Sequence, residues 1–113
     1  MTVRPPRALA PKNIWTDNST ALDYEIAQEK ASTLGRLGRA LEAALAALRE
    51  FDAEAHSASA ADREARGRLV TGASRALWHF VVQREALGLR DSRQVMCDYR
   101  VPAEVQNRMG AAR

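Results

Sequence analysis

The chain has 113 residues, of which 46% are apolar and 27% charged, with a net charge of +3; it is long enough for one domain with a core and too apolar for a disordered composition. Its single cysteine, Cys97, excludes an intramolecular disulfide framework and a cysteine-based zinc site. No run approaches the roughly 20 apolar residues of a membrane span, and the first residues lack the apolar stretch of a signal peptide, so a cytoplasmic protein with no membrane partner is expected.

Alanine is abundant, at 22 residues, whereas β-branched and aromatic residues are sparse. That balance predicts an all-α fold. Of the 17 basic residues, 15 are arginine. Arginine forks onto phosphate oxygens, but a GC-rich genome favours alanine and arginine codons together and accounts for the same bias.

Residues 1–18 read as a mobile tail, because Pro5, Pro6 and Pro11 disfavour helix in the residues before them. Ile14 and Trp15 precede a cluster of capping residues and are expected to anchor this tail to the helices. A single helical domain over 19–110 follows. Its first helix is predicted to start near Ser19 or Thr20, with Thr20 and Asp23 as a capping pair, and to run to about Phe51 or Asp52. Leu22, Ile26, Leu34, Leu37, Leu41, Leu45, Leu48 and Phe51 recur at steps of three and four, apart from a gap at Lys30, and approximate coiled-coil heptads from Leu34 onward. Gly35 and Gly38 interrupt this helix; each marks either a hinge or a point where a neighbour comes too close for a Cβ.

Residues 53–59 read as a loop containing His56. Ser59 with Asp62 caps a second helix that continues to Leu87 and stops at Gly88. A short loop between two long helices makes them an antiparallel hairpin. The run 76–82 is apolar nearly all round, so it is expected to be buried on every face. Trp78, His79, Phe80 and Val82 are therefore candidate interface residues for a protein partner or a second copy. Beyond Gly88, a short helix over 93–99 and another starting at Pro102 and ending by Gly110 are predicted.

This C-terminal pair has two readings. As a helix-turn-helix it would bind nucleic acid through Arg93, Arg100, Gln106, Asn107 and Arg108. As a cap it would close the open end of the hairpin through Leu89, Val95, Met96, Val101, Val105 and Met109. Turn composition and diluted charge favour the cap. His79 has no acid, nucleophile or metal partner at helical spacing, and reads as a core or interface histidine. Cys97 reads as a small buried hydrophobe. Two histidines and one cysteine show no metal-ligand spacing, and no Gly-rich loop fits a nucleotide. No catalytic, metal or cofactor-binding residue is expected, and the protein is read as a non-enzyme.

The segments 23–31, Leu34-Gly-Arg-Leu-Gly38, 76–85, 88–96 and Tyr99-Arg-Val-Pro-Ala-Glu-Val105 resemble a family of short bacterial proteins that forms a domain of unknown function. The resemblance covers about residues 20–110. It implies a bacterial helical protein and transfers no functional residue. The expected function is a non-catalytic helical interaction module, homodimeric in one version, with a small nucleic-acid-binding regulator as the alternative.

Overall fold

The computed structural model describes residues 5–110 apart from position 55, with side chains from Ser19 onward. Four helices follow one another: α1 (Pro5–Ala53), α2 (Ala60–Ala86), α3 (Ser92–Asp98) and α4 (Ala103–Arg108). Helix α1 starts before the expected Ser19 or Thr20, so the capping cluster lies inside it. Once a helix is nucleated, each further residue adds a hydrogen bond at little cost, except Pro11, which lies inside α1 and has no N–H to donate. Pro5 and Pro6 occupy the first turn, where their missing N–H groups forfeit nothing. The side chains of Ile14 and Trp15, expected as an anchor, lie outside the described residues.

The chain divides into two units, Met1–Thr33 and Leu34–Arg113. In the first, every described side chain from Ser19 to Ser32 is exposed, including Leu22, Tyr24 and Ile26 at 59%, 64% and 48%. In the second lies the core, built from Leu41, Leu45 and Leu48 of α1, Val70, Ala73, Leu77, Phe80 and Val81 of α2, and Val95, Val101 and Val105 of the C-terminal segment. Asp52 pairs with Arg66, and Gly38 faces Phe80. The two contacts run in opposite directions along the chain, so α2 is antiparallel to residues 34–53.

Local chemistry sets the boundaries. The Ser59 hydroxyl accepts the Asp62 N–H at 3.1 Å, as its capping position requires. Helix α2 ends at Leu87, and Gly88 takes φ 86°. The Gly88 and Leu89 N–H groups then bond the Glu85 and Arg84 carbonyls, closing a Schellman motif. Helix α3 ends the same way, with Arg100 at φ 51° and Arg100 and Val101 donating to Cys97 and Met96. A non-glycine residue there costs roughly 1 kcal/mol or more. Pro102 sits just before α4, at its N-cap.

Within the single chain, the run 76–82 is covered on one side. Leu77, Phe80 and Val81 point into the core, whereas His79 and Val82 are exposed and Trp78 is half-buried. One helix and a short C-terminal cap cover only one side of α2, and the amphipathic Trp78 and His79 rings tolerate water at their edges.

Candidate functional site

The C-terminal pair packs as a cap. Ser74, fully buried on α2, donates its hydroxyl to the Val70 carbonyl at 2.8 Å and the Val105 carbonyl at 3.0 Å, tying α2 to α4 through a satisfied polar group. Val95, Val101 and Val105 are buried as expected, and Met96 and Met109 pack at the margin; Leu89, at 45% exposure, does not join them.

A feature with no local signature in the sequence completes this end. The Arg66 guanidinium forks onto Asp52 through Nε and Nη2, at 2.7 and 3.1 Å, and onto Glu104 through Nη1 and Nη2, at 2.9 and 2.6 Å. One side chain thus joins the end of α1, the start of α2 and the start of α4. The hydrogen bonds from Arg66 hold the Asp52 and Glu104 carboxyls below their ordinary values, and both carboxylates raise the Arg66 value. A depressed carboxyl contributes stability above the unfolded carboxylate range, near pH 4, which is lost as pH falls through the folded value. All three side chains are more than one-third exposed, so the expected loss for Arg66→Met at pH 7 is only about 1 kcal/mol. Thermal melts should show this difference at pH 7 and a shrinking one below about pH 4.

Of the residues proposed from sequence to touch nucleic acid, Gln106 and Arg108 hydrogen-bond within the fold. Arg93, Arg100 and Asn107 are exposed. Gln106 donates to the Val101 carbonyl at 2.9 Å, and Arg108 donates to the Thr71 hydroxyl of α2 at 2.9 Å. Arg100 instead lines a cleft of about 700 Å³ with Glu42, Leu45, Arg49, Asp98, Tyr99 and Pro102. Burial, and then the Glu42 charge, push the Tyr99 phenol up, so it stays protonated at neutral pH.

His56 stacks on Phe51, with ring centroids 3.8 Å apart, and has Glu54 at 3.3 Å and Asp62 at 3.9 Å. The Ser57 hydroxyl donates to Asp62 at 2.9 Å. A serine that gives its proton to a carboxylate in this way is not paired with a histidine base, and the corner ties the loop to the start of α2. Cys97 is exposed, correcting the expectation of a buried thiol. It lies two residues from Val95, about 200° around the helix and hence on the opposite face. His79 is also exposed rather than in the core, with its ring edge-on to Trp78 at 5.3 Å. Among the described residues, no group of three or more His, Cys, Asp or Glu could hold a metal ion, and no helix is long and apolar enough to cross a membrane.

A further surface feature is the outer face of α2. Gly67, Arg68, Thr71, Gly72 and Arg75 line a shallow groove of about 490 Å³ together with Glu64 and Arg108. At about 100° per residue, Trp78, His79 and Val82 continue the same face beyond Arg75.

These features define a small all-α fold: an antiparallel helical hairpin followed by two short helices. The chain belongs to the family of unknown function DUF6665, whose match spans residues 12–113. Comparison with curated proteins finds no match, nor does comparison with solved structures.

Proposed function

We propose that this protein is a non-catalytic helical interaction module whose partner is a second copy of itself. The observation that carries this reading is the bare stretch of α1 in the first unit. Leu22, Tyr24 and Ile26 are exposed there, and no side chain from Ser19 to Ser32 is buried. An isolated helix gains little from propensity alone, since most helical stability in proteins comes from packing an apolar face. Leu22 and Ile26, at i and i+4, share such a face. A second chain laid along it supplies the missing cover.

The reading is tested by light scattering at tens of micromolar protein. A dimer mass is expected for the unmodified chain. Full burial of a leucine or isoleucine is worth about 1.5–3 kcal/mol. Leu22→Asp with Ile26→Asp is therefore expected to weaken association by at least about 100-fold and give a monomer that loses helicity only in the uncovered stretch of α1. A monomer mass for the unmodified chain overturns the reading.

A further inference from the structure

The outer face of α2 is rich in arginine. From Ala65 to Arg84 the sequence has no carboxylate and four arginines. Arg66 is taken up by Asp52 and Glu104. Arg68 and Arg75 lie on the outer groove, joined by Arg108, whose guanidinium is steadied by its bond to Thr71. Among the residues lining the groove, Glu64 lies 3.6 Å from Arg68 in an exposed i,i+4 pair of the kind worth only a few tenths of a kcal/mol. Glu104 also attracts Arg108, but its own carboxylate is held by Arg66.

Two glycines lie on this groove. Gly67 and Gly72 occupy the interior of α2, and a Cβ at either would meet nothing within 4 Å. Each costs about 1 kcal/mol relative to alanine in a helix, and no neighbour among the described residues uses the space they leave. The bare helix surface lets a bulky anion come close to the backbone between the arginines. Beyond Arg75, the half-buried Trp78 and the exposed His79 bring aromatic rings to the same face. Arginines followed by aromatics are the elements of a single-strand site, in which cations hold phosphates and rings stack on bases. From Arg68 to Trp78 the helix rises about 15 Å, the length of roughly four stacked nucleotides.

We propose that the outer face of α2, with Arg108 of α4, binds single-stranded nucleic acid: Arg68, Arg75 and Arg108 hold successive phosphates, and Trp78 with His79 stacks a base. This site uses none of the α1 residues proposed for self-association and does not depend on that reading.

The test is fluorescence anisotropy of a labelled single strand of about 20 nucleotides, titrated with the full chain at about 50 and 200 mM salt; the same sequence annealed as a duplex is run in parallel. Three phosphate contacts give a single-strand salt slope near −2, so affinity is expected to fall roughly 20-fold between the two conditions. With Arg68→Gln and Arg108→Gln combined, one contact remains and the fall shrinks to about threefold. Trp78→Ala is expected to weaken binding at least fivefold, the low end of a lost stacking contact of about 1–3 kcal/mol. Thermal melts of each variant establish that it is folded. The proposal is overturned by no binding at the lower salt, by a salt dependence that the arginine variant leaves unchanged, or by tighter binding to the duplex. It is equally overturned if Arg93→Gln with Arg100→Gln abolishes binding while the α2 variants retain it, because the site is then the C-terminal helix pair.

Discussion

Leu77→Ala is expected to lower the unfolding free energy by about 3 kcal/mol, within the 2–5 kcal/mol found for fully buried leucines. Leu77 has no exposed surface and belongs to the cluster that joins α1, α2 and the C-terminal segment. Truncation removes three carbon atoms from water exclusion and leaves a cavity that the surrounding helices fill only in part. The helices themselves are not at risk, since alanine is the better helix former, so the loss reports packing alone. In a domain of this size the melting temperature is expected to fall by about 15 °C. Leu77→Met, which conserves volume, should cost less than about 1.5 kcal/mol. Urea unfolding followed by circular dichroism separates the outcomes: a lower midpoint at an unchanged slope means lost stability, whereas a changed slope means a different folded or unfolded state. A loss under about 1 kcal/mol would mean that the hairpin is not held together at this layer.

What could be read from the sequence was local. Ser59 with Asp62 and Gly88 set the ends of α2 because a cap depends on residues three or four apart. Leu41, Leu45 and Leu48 were legible as core because a sustained period of three and four puts them on one face. The same period placed Leu22 and Ile26 with them, yet both are exposed. Periodicity identifies a face and is silent on what covers it. Polar residues around Ser19 read as a helix start because the same side chains that cap a helix are tolerated inside one at modest cost. Cys97 was placed inward as a small hydrophobe, but α3 has only seven residues, too few to fix which side faces the core. The Arg66 clamp joins residues 14 and 38 positions away and has no local pattern at all. The groove on α2 emerges only when Arg108 is folded back beside Thr71. The candidate site was therefore legible as residue types, with Trp78, His79 and Arg108 all singled out, but not as one surface.

Gly38→Val is expected to destabilise the fold by about 2–3 kcal/mol, the cost of overpacking a filled core. Gly38 is buried, and a Cβ there would lie 3.0 Å from the Tyr99 hydroxyl and 3.3 Å from the Phe80 ring. These two contacts differ in how much they can give. The Tyr99 hydroxyl is the far end of a long side chain on a half-exposed residue and can swing away. The Phe80 ring is only 5% exposed, with the Tyr99 ring edge-on at 5.4 Å, and has nowhere to go. For alanine, the gain of about 1 kcal/mol in helix propensity offsets a shift of a few tenths of an ångström, and the expected net effect is small. Valine adds two more methyl groups against the same ring, and the offset fails. Gly35 provides the contrast, because its Cβ would meet only the flexible Arg39 guanidinium at 3.4 Å. Gly35→Ala is expected to stabilise by roughly 0.5–1 kcal/mol through propensity alone. Both glycines raise the same question in the sequence, hinge or close approach, and denaturant midpoints of the two variants answer it separately. Stabilisation at both positions would mean that Phe80 and Tyr99 do not pack against α1 and that the C-terminal cap sits elsewhere. Destabilisation at both would mean that Gly35 also lies under a neighbour. The split result, loss at Gly38 and gain at Gly35, is what a hairpin closed by Tyr99 over Phe80 requires.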